Sequence, residues 1–287
     1  MNIAIVGSSG YIASALIRRM EQEDSVGSIL KIDRTADADA YLDLADTRLF
    51  DYQLLDTVDL VIFTAAVSGP DRCALEFEAC WNINVEGTGR FIREALERGA
   101  RVLFFSSDAV FGDIPGHIYT EESETKGDTA YGRMKKAVED RFLGHPLFKA
   151  IRLSYVASLG DRFVTYCLDC IRNGEAAEVF HPFYRNCTVL TDVVDIVLWF
   201  ARHFDVYKPS VLNAAGPELV SRIRIADEIN RVLGGRLRYT VTMTGDEFFK
   251  NRPRITQMKS LYMEPYNITE KGAFTEKIQK ELRGVKL

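Results

Sequence analysis

Tyr131 and Lys135 stand four positions apart in the stretch Tyr131-Gly132-Arg133-Met134-Lys135. On a helix, positions i and i+4 share a face, so the phenol and the ammonium would be presented together. A free tyrosine ionises near pH ~10 and exchanges its proton poorly at neutral pH. A neighbouring cation stabilises the phenolate and lowers that value. Ser107 lies twenty-four residues upstream, inside the run "VLFFSSDAVFG". Its hydroxyl can hold a substrate oxygen by a hydrogen bond while Tyr131 donates or removes the proton.

A second constellation lies at the start of the chain, where the apolar run Asn2 to Val6 leads into Gly7-Ser8-Ser9-Gly10-Tyr11-Ile12-Ala13. Glycine at 7 permits a tight turn, and Gly10 lets backbone approach a pyrophosphate at a helix N-terminus. There the unpaired N–H groups and the helix dipole favour an anion. Ala13 occupies the third position of the pattern, the smallest substitute for glycine at a close helix–strand contact. Asp33 follows about twenty residues on and can accept hydrogen bonds from the adenine ribose hydroxyls while repelling a 2′-phosphate. That favours NAD. Arg34, directly after it, suits the phosphate of NADP, so both dinucleotides stay open.

Alternating elements must position these groups. Strands are expected at Asn2 to Val6, Ser28 to Asp33, Ala40 to Leu44, Leu60 to Thr64, Arg101 to Ser106 and Lys149 to Leu153. Between them, Ile12, Ala15, Leu16 and Met20 recur at helical spacing, a long helix runs from about Phe77 to Arg98, and another spans Tyr131 to Leu143. This succession predicts a Rossmann-type α/β fold, a doubly wound parallel sheet, with a smaller C-terminal substrate-binding lobe. The nucleotide-binding domain is expected over 1–155, with 189–215 returning to it. The lobe is expected over 156–188 and 216–287.

The 36 basic and 41 acidic residues leave a net charge of −5, with no basic run for nucleic acid. Five cysteines and no leader before the first strand point to a reducing, cytoplasmic setting. Cys167 and Cys170 form a C-x-x-C inside the helical "FVTYCLDCIRNG", where thiols pack as small hydrophobes. His117, His145, His181 and His203 are scattered, so no metal site is expected. No apolar stretch is long enough to span a membrane.

These motifs resemble the extended short-chain dehydrogenase/reductases, the NAD-dependent epimerase/dehydratase superfamily. Within it the chain is most similar to the dTDP-4-dehydrorhamnose reductase group of sugar-nucleotide reductases. The resemblance runs through Gly7 and Gly10, "LDLAD" around Asp43, "VDLVIFTAA", "NINVEGT" around Asn84, "SSDAVFG", "YGRMKK", "IRLSYV" and "TDVVDIV". It implies Ser107, Tyr131 and Lys135 as the catalytic three, with Lys135 also bonding the nicotinamide ribose. It puts Ser9, Tyr11, Ile12, Asp33, Arg34, Asp43, Leu44, Thr64, Ala65, Ala66, Asn84, Ser106 and Leu153 with Gly7 and Gly10 along the cofactor. Ser107, Asp108, Val110 and Arg185 would face a nucleotide-sugar substrate, Arg185 through its diphosphate.

The implied reaction is reduction of the 4-keto group of a nucleotide-linked 6-deoxysugar. Related dehydratases follow the acid at position 108 with a glutamate base, whereas Ala109 stands here. That argues against dehydration. An epimerase with tightly held NAD and a non-catalytic NAD(P)-binding regulatory subunit remain alternatives. The resemblance also implies a homodimer through the helices around 80–98 and 131–143.

Overall fold

A computed structural model describes residues 1–285 of the chain. Seven strands form one parallel sheet, β1 (Asn2–Val6), β2 (Ser28–Asp33), β3 (Ala40–Tyr41), β4 (Leu60–Phe63), β5 (Arg101–Ser107), β6 (Phe148–Leu153) and β7 (Val211–Ala214). Their order across the sheet is β7-β6-β5-β4-β1-β2-β3. From β1 the chain builds outward through β2 and β3, then returns to lay β4 on the other side of β1. The carboxyl ends of β1 and β4 therefore flank the point where strand order reverses, the place where open α/β sheets bind ligands.

Parallel strands need covered faces, and the sequence supplies them. All four residues of β4 are buried. Helix α1 (Tyr11–Met20) turns Ala13, Leu16 and Met20 inward. After α2 (Pro70–Leu75) and α3 (Phe77–Trp81), α4 (Thr88–Glu97) buries Phe91, Ile92, Ala95 and Leu96. Phe91 packs 5.7 Å from Phe63, and Phe104 lies 6.0 Å from Phe148 across the sheet core. Truncating one such fully buried phenylalanine to alanine costs about 3–5 kcal/mol. Helix α5 (Ala130–Phe142) begins on Thr129, whose Oγ1 accepts from the Gly132 amide at 3.1 Å.

The chain divides into two compact units. The first comprises Met1–Gly112, Glu124–Arg152 and Val197–Leu212. The second comprises Asp113–Ser123, Leu153–Ile196 and the described residues from Asn213 onward. Within the second, α6 (Arg162–Asn173), α8 (Arg222–Val232) and α10 (Phe274–Leu282) enclose a core that includes Cys167, Cys170, Ile225, Ile229 and Ile278. Both thiols of the C-x-x-C are buried and free, and burial pushes Cys167 up to about 12. The helix α7 (Leu190–His203) runs across the boundary, and α9 (Asp246–Phe249) is a single turn.

Three local expectations are revised. The third strand stops at Tyr41, because Asp43 turns the chain by accepting the Ala45 amide at 2.9 Å. The helix expected from Phe77 to Arg98 is interrupted by a π-helical turn over Asn82–Gly87. There Thr88 Oγ1 donates to the Ile83 carbonyl at 3.0 Å, and a Cβ on Gly87 would lie 1.8 Å from the Leu44 carbonyl oxygen. Residues 113–123 belong to the second unit, where Ile118–Tyr119 pairs with Gln257 and Met258. Such long-range pairing has no local sequence signal.

Candidate active site

All the groups that meet at the head of α5 lie in the first unit. Where β1 ends, Gly7 adopts φ +85°, and a Cβ there would sit 2.8 Å from the Ala65 backbone. Thr64 Oγ1 donates to the Val6 carbonyl at 2.8 Å, fastening the end of β4 to the end of β1. Glycine at 7 is thus required twice, for its dihedral and for its closeness. Gly10 then enters α1 in extended conformation, with no side-chain cap and no acid in the first turn. An N-terminus of that kind suits a phosphate. Ser8 is buried and Ser9 exposed, while Tyr11 and Ile12 open the helix.

Asp33 ends β2 and turns back onto the glycine loop. Its Oδ2 accepts from the Ser9 amide and from Ser9 Oγ, both at 2.8 Å, and its Oδ1 accepts from the Arg34 amide at 2.6 Å. A carboxylate offers about four lone-pair directions, so further acceptor capacity is left. Arg34 is exposed beside it. Leu44 borders a cleft of about 270 Å³ whose lining includes Asp46, Asn82, Gly87 and Arg90. Ala65 and Ala66 continue half-buried from Thr64. Asn84, 2% exposed in the π-helical turn, holds the following loop by both amide atoms: Oδ1 accepts from the Val67 amide at 2.8 Å and Nδ2 donates to its carbonyl at 2.9 Å.

Ser107 closes β5, and its Oγ donates to Asp108 Oδ1 at 3.1 Å while accepting from the Ala109 amide at 3.2 Å. Ser106 is buried just before it, and the Val110 side chain is fully buried. The turn 108–110 and α5 are pressed together at Gly132, where a Cβ would lie 2.0 Å from the Ala109 carbonyl oxygen. That closeness carries Tyr131 to the turn bearing Ser107 and Asp108. Tyr131 keeps part of its surface open, while burial first, then Cys73 and Asp108, push its phenol upward from the usual tyrosine range.

Lys135, one turn along α5, is 3% exposed. Its Nζ donates to the Phe105 carbonyl at 2.7 Å, lies 4.4 Å from the Phe104 ring centre and 5.8 Å from that of Tyr131. Burial lowers its pKa to about 7, opposed by the negative charge of Glu139 and by Cys73. The ammonium therefore titrates in the neutral range, beside a phenol that does not.

Leu153, at the end of β6, and Arg185 fall in the second unit. The Arg185 guanidinium is 4.4 Å from the Phe183 ring centre, with Nη1 donating to the Tyr184 and Arg254 carbonyls and Nη2 to that of Pro253 at 2.7 Å. These donors hold the chain segment at Pro253 and Arg254. Four groups escaped the sequence reading: Cys73, Glu139, Arg152 and the close contact of Gly132. Only Glu139 left a trace, four residues beyond Lys135 on the same helical face.

A mouse protein, methionine adenosyltransferase 2 subunit beta, is 23% identical over 292 residues, covering 98% of this chain and 86% of that one. A dTDP-4-dehydrorhamnose reductase crystal structure from Clostridium acetobutylicum superposes with a TM-score of 0.82 at 20% identity, covering 98% of each chain. MoeE5 in complex with UDP-glucose and NAD superposes at 0.78 with 21% identity, covering 98% of this chain and 97% of its own. These two structural likenesses establish the shared fold. The RmlD substrate binding domain family matches residues 1–286, and the chain belongs to that family.

Proposed function

We propose that this chain is a nicotinamide-dependent reductase of the 4-keto group of a nucleotide-linked 6-deoxysugar, with NAD as its dinucleotide and NADP as the alternative. The single observation that carries this reading is the placement of Tyr131 and the buried Lys135 on one face of α5, pressed through Gly132 against the turn that follows Ser107. The glycine cradle at Gly7, the uncapped start of α1 and the Asp33 carboxylate fit a dinucleotide with an unmodified adenosine ribose. Solved relatives of this fold include a dTDP-4-dehydrorhamnose reductase and a protein holding UDP-glucose with NAD.

When bound, the nicotinamide supplies the hydride. Tyr131, kept as a phenol, donates its proton to the substrate oxygen. Lys135 as ammonium favours the phenolate left behind, since an opposite charge nearby stabilises the ionised form. Ser107 Oγ turns from Asp108 toward the same oxygen and orients it. Ala109 places no carboxyl beside Asp108, so removal of water lacks a second acid–base group there.

The test is oxidation of NADH and NADPH by the purified protein across a panel of nucleotide-linked 4-keto sugars. Tyr131→Phe is expected to lower kcat by about 10²–10⁴-fold while leaving dinucleotide affinity within about threefold. Parental turnover in that variant sinks the assignment. The full-length likeness to a methionine adenosyltransferase subunit supports a second reading, a dinucleotide-binding subunit acting through a partner. Stoichiometric co-purification of a partner, with neither dinucleotide oxidised by any keto sugar, would select it.

A further inference from the structure

Helix α5 repeats its functional face once more than the proposed chemistry uses. Tyr131, Lys135 and Glu139 follow one another at steps of four, which brings their side chains onto one stripe. Glu139 is 1% exposed and Arg152, from β6, is 3% exposed. Arg152 Nε donates to both carboxylate oxygens at 3.1 and 3.2 Å, and Nη2 donates to Oε2 at 2.7 Å. The guanidinium rests 5.0 Å from the Phe111 ring centre. A lysine that burial pushes toward neutrality, a carboxylate and a guanidinium are thus all held out of water.

A buried ion pair is a poor device for stability alone. Desolvating two ions costs about as much as their attraction returns, and apolar residues of similar size often serve as well. Here the pair stands next to a third buried charge that has need of it. The groups facing Lys135 come from several elements. Its own helix offers Tyr131 and Glu139, α2 offers the Cys73 thiol, and β5 offers the Phe105 carbonyl and the Phe104 ring. Arg152 acts from β6 through Glu139, and Asp108 acts on Tyr131 from the turn after β5.

We propose that Glu139, clamped in place by Arg152, is a positioning residue that keeps Lys135 charged beside Tyr131. The kinetic consequence rests on the reductase reading above, whereas the effect on Lys135 itself does not. Burial drives the lysine toward the neutral amine, and the Glu139 charge is the larger of the two influences opposing it. Arg152 does two things at once. It fixes the rotamer of the carboxylate by a bidentate grip, and its own charge moderates how far Glu139 can raise the lysine.

The two members of the pair should therefore act on Lys135 with opposite signs. Glu139→Gln removes the negative charge and lowers the lysine's midpoint. Arg152→Gln keeps an amide donor on the carboxylate, removes the positive charge opposing it, and raises the midpoint. The full chain, labelled with ¹³Cε-lysine, is titrated by NMR without dinucleotide, and Lys135→Met assigns the resonance. A shift of about one pH unit down in Glu139→Gln, with a shift up in Arg152→Gln, is expected. In kcat/KM against pH, the alkaline limb set by Lys135 moves the same way in each variant.

A purely structural pair predicts lower melting temperatures with the Lys135 midpoint unmoved, or moved the same way in both variants. Either outcome overturns the proposal. Opposite midpoint shifts without movement of the kinetic limb support the charge placement and count against the reductase reading. Should Glu139→Gln not fold, the double variant Glu139→Gln with Arg152→Met replaces the pair by uncharged groups. Its Lys135 midpoint is expected below that of the parent chain, and an unchanged midpoint there overturns the proposal equally.

Discussion

Two lysines of the first unit are buried almost alike, Lys135 on α5 and Lys149 on β6, at 3% and 6% exposure. Both are lowered by burial, Lys135 to about 7 and Lys149 to about 8. Their partners differ. Lys149 Nζ donates to the carbonyls of Tyr207 at 2.6 Å and Pro209 at 3.0 Å, between the Phe204 and Tyr207 rings. It ties the segment that follows α7 to the sheet. Lys135 donates to one carbonyl and otherwise faces a phenol and, through its helix, a carboxylate. An ammonium has three donors, and what its remaining ones face decides whether it is a strut or a reagent.

Exchanging each lysine for methionine separates the two roles. Lys135→Met is expected to lower turnover by about 10²-fold or more in the dinucleotide assay. Its fold should persist, since removing a buried charge whose acid partner keeps Arg152 is tolerable. Lys149→Met should do the reverse. Two carbonyls lose their donor in a buried place, at a cost of about 2–3 kcal/mol in urea unfolding, while turnover stays within about twofold. A large turnover loss in Lys149→Met, measured on folded protein, would break the comparison.

The pH dependence of stability sharpens it. Both lysines have folded values below the ordinary 10.5. Between the folded and the ordinary value, the unfolded chain binds a proton that the folded chain has released, so stability rises with pH. The window opens near pH 7 for Lys135 and near 8 for Lys149. Burial raises the Cys73 and Cys167 thiols to about 12, so they oppose the trend above about pH 9, and Tyr131, also raised by burial, adds to them above about pH 10. The urea midpoint should therefore climb between pH 7 and about 9 in the parent chain. In Lys135→Met the climb should start later, near 8. An identical profile would remove Lys135 from the account.

The smallest effect is expected one residue away. Lys136 pairs with Asp140 at 2.6 Å, with 28% and 55% of the side chains exposed. Solvent-screened pairs of this sort contribute little, so Lys136→Ala should shift stability by less than about 0.5 kcal/mol and leave turnover alone. Neighbours in sequence, Lys135 and Lys136 differ in consequence because α5 turns one toward β5 and the other outward.

Much of the site was legible because its signals are local. The Gly7–Gly10 spacing after an apolar run, Asp33 at the end of β2, and Tyr131 four before Lys135 all depend on periods of strand and helix that sequence displays directly. The strand pattern likewise announced the parallel sheet, apart from the shortened β3. The π-helical turn at Asn82–Gly87 was not legible, since it follows from Gly87 meeting the Leu44 backbone, a contact between residues forty-three positions apart. Nor was the adhesion of Gly132 to Ala109, which presses the head of α5 against the turn that follows Ser107.

By itself, then, the sequence determined the alternating α/β architecture, the phosphate-suited turn and the shared helical face of Tyr131 and Lys135. Those are consequences of residue type and spacing within single elements. Only the tertiary structure decided that Lys135 is buried, that Glu139 is gripped by Arg152 beneath it, and that Lys149 is a tether instead. A charge takes its chemistry from its desolvation and its neighbours, and both are assembled from distant segments of chain.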